Sequence, residues 1–169
     1  MGGLQIIIRQ ATVEDAKHLL NLIAHVESTS DCMLMEPGER NNSIEKQTKM
    51  IEHFNNQSNS TLLVADNDGL YGYLIAIGNT SLRNKHSAYL VIGVHQEVRG
   101  QGVGTLLFEA VEQWAKTVGI TRLELTVVTE NEAGVKLYQK SGFEIEGTKR
   151  RSLKINEKFY DEYYMSKLL

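Results

Sequence analysis

VHQEVRGQGVGTLLFEAVEQWA, residues 94–115, carries glycine at three alternate positions, Gly100, Gly102 and Gly104, directly behind Arg99. Apolar residues follow at helical spacing: Leu106, Leu107, Ala110, Val111, Trp114 and Val118 form one stripe, and Gly119 supplies a stop. Upstream, residues 88–94 are apolar at nearly every position, as in a strand buried on both faces. The stretch therefore reads as central strand, glycine turn, amphipathic helix. Glycines this dense ahead of a helix let the backbone approach something closely, because no Cβ stands in the way.

Three phosphate-binding patterns compete for this turn. Walker A needs Gly-Lys-Ser/Thr after its second glycine spacing, and the chain has none. The dinucleotide fingerprint needs G-x-G-x-x-G, whereas Thr105 falls where the third glycine belongs. What remains is an arginine beside a nest of backbone N–H groups at a helix start. The first N–H groups of a helix lack intrahelical partners and its dipole is positive there, so a diphosphate is the fitting ligand. A glycine-rich strand-to-helix turn without a ligand is the competing reading.

The rest of the chain alternates short apolar runs with helical patterns. Residues 4–9 read as a strand, and Thr12 with Asp15 starts a helix whose apolar face is Ala16, Leu19, Leu20 and Ile23. Residues 28–42 are polar, hold Pro37 and read as a loop that can line a site. Asn42 with Glu45 is expected to cap a second helix reaching Phe54. Residues 61–65 and 71–77 make a hairpin around Asp68-Gly69. Residues 123–128 form a strand, Asn131 opens a short helix ended by Gly142, and residues 143–146 and 159–165 form a last hairpin turning at 156–158. The order β-α-α-β-β-β-α-β-α-β-β, with consecutive strands, defines a mixed α/β sheet of the α+β type in one domain over 1–169.

Composition narrows the function. Eighteen basic against 21 acidic residues give a net charge of −3, which offers no general pull toward nucleic acid or anionic membrane. No apolar run approaches the roughly 20 residues of a membrane span, and residues 1–11 lack the basic start of a signal peptide. Ile6 occupies the position where a myristoylation signal wants Ser or Thr. Cys32 is alone, so neither a disulfide framework nor a cysteine zinc site is expected. His18 and His25 are about 10 Å apart along one helix, too far to share a metal, and no metal is expected. These traits fit a cytoplasmic enzyme or binding protein.

Val94, four residues, then Arg99-Gly100-Gln101-Gly102-Val103-Gly104 resembles motif A of the GNAT acetyltransferase superfamily. A second signature follows one strand later. Residues 131–138, NEAGVKLY, then Ser141-Gly142-Phe143-Glu144 resemble motif B of the same family. Gly134 stands where that motif usually has alanine, and the proline often found after the motif A strand is absent.

The resemblance implies a splayed, mostly antiparallel central sheet of about seven strands with about four flanking helices. It implies acetyl-CoA as donor and no metal. The N–H groups of Arg99, Gly100, Gln101, Gly102, Val103, Gly104 and Thr105 would hold its pyrophosphate. The pantetheine arm would pair with the free backbone of Ile92, Gly93 and Val94, like an added strand. Asn131 would bond that arm or cap its helix.

Acetyl transfer to an amine requires a neutral amine, held reactants, a donor for the thioester oxygen and a proton for the leaving thiolate. A backbone N–H near Gly93 or Val94 is the expected oxygen donor. Tyr138 occupies the family's general-acid position, with packing against coenzyme A as its alternative role. His86, opening the central strand, is a candidate base; Glu27, Glu36 and Glu39 are others, or recognise a cationic acceptor, and a water chain is the remaining option. Lys149-Arg150-Arg151 reads as a solvated strand edge, with binding of an acceptor carboxylate or of the 3′-phosphate of coenzyme A as the alternative. The expected partners are acetyl-CoA and a primary-amine acceptor, with a homodimer as a further option; residues 159–164 read as core and rim packing of the last strand, with Tyr160 and Asp161 reaching the acceptor pocket or a dimer partner as the alternative. A small-molecule amine such as an amino acid or polyamine is the favoured acceptor, with direct transfer in a ternary complex. A protein N-terminus of the ribosomal-protein type, or a non-catalytic acyl-CoA sensor, are the alternatives.

Overall fold

The computed structural model describes residues 5–30, 35, 39 and 42–169. Seven strands form one sheet in the order β1-β2-β3-β4-β5-β7-β6. They are β1 (Ile7–Gln10), β2 (Thr61–Asp66), β3 (Leu70–Gly78), β4 (Ser87–Val94), β5 (Arg122–Val128), β6 (Glu144–Ile155) and β7 (Lys158–Leu168). Four helices flank them: α1 (Ala16–Thr29), α2 (Ile44–Asn56), α3 (Val103–Val118) and α4 (Glu132–Lys140). Among the described residues, every strand pairing is antiparallel except that of β4 with β5.

Strand alternation builds two cores on opposite faces of the sheet. On one face, Leu63 and Ala65 of β2 and Leu74 and Ala76 of β3 pack with Leu107, Phe108, Val111 and Ala115 of α3. On the other, Leu62 and Val64 of β2 and Tyr73 of β3 pack with Leu19, Leu22, Ile23 and Val26 of α1 and Ile51 of α2. In β4, Ala88, Leu90, Ile92 and Val94 face the α3 core while Val91 faces α1. This two-sided burial is why β4 reads as an unbroken apolar run, and β4 is the middle strand of the seven.

The sheet parts between its two middle strands. Parallel pairing of β4 with β5 covers only Ser87–Tyr89 against Arg122–Glu124. Beyond it, β4 pairs with β3 alone as far as Val94, and β5 with β7 alone as far as Val128. Tyr89 closes the base of the opening, its hydroxyl 2.7 Å from Thr126 Oγ1.

Several boundaries differ from the sequence reading. The cap of α2 is Ser43, whose Oγ accepts from the Lys46 N–H, while Asn42 Oδ1 accepts from the Ser43 N–H. One residue of shift results because both residue types cap well. β1 is shorter and later than 4–9; Leu4 and most of the 28–42 loop, with Cys32, Glu36 and Pro37, lie outside the described residues. The last hairpin is much longer than its apolar residues suggested. β6 is an exposed edge strand, so its middle carries charge rather than a hydrophobic signal. Asn156 and Glu157 at its tip both have positive φ, +50° and +67°, as a tight two-residue turn demands. Lys149-Arg150-Arg151 lies on this edge strand, where pairing is interrupted between Lys149 and Leu153 and the Arg151 guanidinium covers the Phe159 ring.

Candidate active site

The site starts from the free edge of β4. The His95 N–H donates to the Tyr71 carbonyl, and the Asn79 N–H to the Ser87 carbonyl. Backbone direction alternates along a strand, so odd-numbered residues of β4 spend their groups on β3 and even-numbered ones face β5. Past Tyr89 that side has no strand partner among the described residues. Ile92 and Val94 thus present backbone groups to the opening, while those of Gly93 are spent on Tyr73. This corrects the expectation that all three are available. Gly93 is glycine for another reason: a Cβ there would stand 2.5 Å from the Tyr73 ring.

At the end of β4 the chain makes one 3₁₀ turn and reaches the glycines. Gly100 and Gly102 have φ of +77° and +86°, the left-handed region glycine adopts without cost. Gly102 is the N-cap of α3, its carbonyl accepting from the Leu106 N–H. The Arg99 and Gln101 N–H groups close the preceding turns onto the Gln96 and Val98 carbonyls. These two contacts are long, 3.4 and 3.3 Å, and the two N–H groups are already engaged within the turn. Among the described residues, no hydrogen bond uses the N–H groups of Gly100, Gly102, Val103, Gly104 or Thr105. Five unpaired donors at the positive end of a 16-residue helix fit a diphosphate.

Gly104 differs from its neighbours. It is helical, and a Cβ there would meet Leu137 Cδ2 at 2.7 Å. Its smallness seats α4 against the first turn of α3. Tyr138 follows Leu137 and packs edge-on against Phe108 of α3, ring centres 5.5 Å apart, and near Phe143 at 6.4 Å. Asn131 is the N-cap of α4: its Oδ1 accepts from the Gly134 N–H at 3.0 Å. A Cβ on Gly134 would lie 2.6 Å from the Asn131 amide, so alanine there would require the capping side chain to shift.

α1 is tied to the cradle through its last turns. Arg99 donates to the Val94 carbonyl through Nε and to Thr29 Oγ1 at 3.0 Å through Nη2. His25 stacks on His95 with ring centres 3.7 Å apart and planes 12° apart. Each ring accepts a backbone N–H from the β4–α3 connection, His25 Nε2 from Gln96 and His95 Nδ1 from Glu97. Burial, then the neighbouring His95 and Arg99, holds the His25 imidazole below its ordinary range. Nothing in the sequence pointed to this pair, whose members are 70 residues apart.

Of the candidate bases, His86 stands away from the cradle. His86 is exposed and precedes β4, about 26 Å from Val94 along the strand. Its carbonyl accepts there from the Thr121 and Arg122 N–H groups. Glu27 is buried on α1, Glu39 is exposed, and Glu36 lies outside the described residues. Among the described residues, no group of three His, Cys, Asp or Glu could hold a metal, and no helix is long and apolar enough to cross a membrane.

A parted sheet with a donor-rich helix start at the end of its middle strand has the shape and charge to take an extended ligand that carries a diphosphate. Residues 27–143 match the family model described as the acetyltransferase (GNAT) family, and the chain belongs to that family. It is an acetyl-CoA-dependent acyltransferase. An L-amino acid N-acetyltransferase, AaaT of Escherichia coli, is 35% identical over 108 residues, covering 63% of this chain and 67% of that protein. A GNAT-family acetyltransferase structure from Streptococcus pneumoniae superposes with a TM-score of 0.93 at 33% identity, covering 98% of this chain and 100% of that one. YncA from Salmonella typhimurium, solved with acetyl-CoA, shares the fold with a TM-score of 0.87 at 17% identity, covering 98% of this chain and 94% of that one.

Proposed function

We propose that this enzyme acetylates the amino group of a small molecule, an L-amino acid or similar amine, by direct transfer from acetyl-CoA. The observation that carries the donor half is the set of five unpaired N–H groups at the start of α3 beside the parted strands. They hold the pyrophosphate, Arg99 adds positive charge, and Ile92 and Val94 pair with the pantetheine arm. The acceptor half rests on the likeness to the E. coli L-amino acid N-acetyltransferase. The net charge of −3 also disfavours an acidic polymer as acceptor. The enzyme works in the cytoplasm.

In this reading the neutral amine attacks the thioester carbonyl carbon, the C–N bond forms and the C–S bond breaks. The Val94 N–H, which faces the opening, stabilises charge gathering on the carbonyl oxygen. Tyr138 donates its phenolic proton to the departing thiolate and regains one from water. The proton lost by the amine leaves through water, since His86 stands beyond the far end of β4.

The test is thiol release from acetyl-CoA with three acceptor panels: L-amino acids, polyamines, and peptides bearing ribosomal-protein N-termini. Turnover with amino acids is the expected result. Turnover confined to the peptides replaces the acceptor class, and coenzyme A binding without turnover on any panel makes the chain a sensor. Tyr138→Phe should lower kcat about a hundredfold, the scale of a general acid, with the KM for acetyl-CoA little changed.

A further inference from the structure

α4 is a nine-residue helix with no fully buried residue. Val135, Leu137 and Tyr138 pack on the core only partly buried, so specific anchors at its ends matter to its pose. Its N-terminal end has Asn131, and its middle has Leu137 on Gly104 and Tyr138 on Phe108. Its C-terminal end is held by a residue from the far end of the chain. Lys167 of β7 donates through Nζ to the Ser141 carbonyl at 2.9 Å and to Glu112 Oε2 of α3 at 2.7 Å.

The location suits an ammonium group. The last carbonyls of a helix lack intrahelical donors, and the helix dipole is negative there. Glu112 supplies the counter-charge from α3, and the hydrogen bond from Lys167 holds its carboxyl below the usual range. Access to Ser141 runs past Gly142, whose φ is +96° and where a Cβ would stand 3.0 Å from Lys167 Cε. Gly142 thus ends the helix and leaves room for the lysine stem.

We propose that Lys167 is a positioning residue for acetyl transfer, bridging Glu112 on α3 and the end of α4 so that Tyr138 is held toward the parted strands. The inference rests on the reading of Tyr138 as proton donor. Lys167 itself touches no reactant. The same bridge joins the helix that starts at the diphosphate cradle to the helix that carries the acid, so both ends of the donor are referred to one frame.

Lys167→Met keeps the apolar stem and removes the charge; Lys167→Arg keeps the charge; Glu112→Gln weakens the bridge from the other side. Each is assayed with acetyl-CoA and a mixture of L-amino acids, alone and combined with Tyr138→Phe. Lys167→Met should lower kcat about tenfold, the scale of a small misplacement, while the KM for acetyl-CoA changes less than about twofold. Amide exchange in residues 132–141 should speed up about tenfold, with α3 unchanged. Lys167→Arg should restore most of the rate, and Lys167→Met should add almost nothing in the Tyr138→Phe background.

Wild-type kcat and unchanged α4 exchange in Lys167→Met overturn the inference even if Tyr138→Phe is inactive. Equal losses from Lys167→Met with and without Tyr138 also overturn it, since a merely structural role acts on both. If Tyr138→Phe keeps full activity, the acid reading fails separately, and the α4 exchange rates alone decide whether Lys167 sets the helix. Should Lys167→Met not fold, Glu112→Gln carries the same readouts.

Discussion

Gly104 and Leu137 meet where the first turn of α3 touches α4, and a Cβ on Gly104 would stand 2.7 Å from Leu137 Cδ2. Gly102, two residues earlier, has φ +86° and nothing near its would-be Cβ. The alternate glycines therefore serve different ends: backbone conformation at 100 and 102, helix packing at 104. Substitutions should separate them. Gly102→Ala forces a left-handed residue at a cost of about 1–2 kcal/mol and distorts the cradle, so the KM for acetyl-CoA should rise at least about tenfold. Gly104→Ala should leave stability within about 1 kcal/mol, since helix propensity favours alanine and the leucine methyl can turn aside. Its expected effect is a severalfold loss of kcat through a displaced Tyr138. Steady-state kinetics on the two variants checks the split; equal effects on KM would refute it.

Gly93 lies opposite Tyr73 on β3, and here the obstacle is a ring that is 2% exposed and cannot swing away. Gly93→Ala should destabilise the protein by about 1–3 kcal/mol, read from the urea midpoint. Tyr73→Ala in the same background should show that the two costs do not add, as residues in contact behave.

Motifs that demand a special backbone are legible in the sequence itself. Gly100, Gly102 and the Asn131 cap each leave a local mark, and so does β4, whose burial on both faces leaves an unbroken apolar run. The long hairpin is legible only at its apolar ends, because edge position makes residues 148–152 polar. Three features leave no mark in local pattern, although the motif resemblance supplies the first. The free edge at Ile92 and Val94 depends on which strand stops pairing, the His25–His95 stack joins distant residues, and Lys167 looks like any lysine near a strand end. A base could not be read for the same reason: carboxylates and histidines are common on surfaces, and only position would give one a role.

The stacked pair makes the cradle sensitive to acid. His25 Nε2 accepts the Gln96 N–H, so protonation removes the acceptor and places a charge against His95 and Arg99. The folded-state pKa is lowered, so the unfolded chain binds the proton more readily than the folded one. Stability from this group is present above about pH 6.5, the unfolded value, and is lost as pH falls through that point toward the lowered folded value. Thermal melting between pH 8 and pH 5 should show that decline, with weaker acetyl-CoA binding alongside. In His25→Phe, which keeps a ring but cannot titrate, the part of the decline near pH 6 should vanish; an unchanged profile would exclude His25 as its source.

Arg9 of β1 ties the entry of α1 to the end of β2. Its Nη1 and Nη2 each donate to one oxygen of Asp15 at 2.8 Å, and its Nε donates to Asp66 at 3.0 Å. Asp15 is buried and also accepts the Thr12 N–H, closing the capping box at the entry to α1. The Arg9 hydrogen bonds, foremost, hold the Asp15 carboxyl below its ordinary range. A depressed carboxylate stabilises the fold above its unfolded pKa, near 3.8, and the contribution disappears as pH falls through the folded value. Asp15→Ala should therefore cost about 2–3 kcal/mol at pH 7, the range for charged hydrogen bonds with one buried partner removed. Asp66→Ala should cost less, its carboxylate being more exposed, 31% against 10% for Asp15. Urea unfolding at pH 7 and again near pH 3 checks both. The Asp15→Ala deficit should shrink at the lower pH, because acid has begun to remove the same interaction from the wild type.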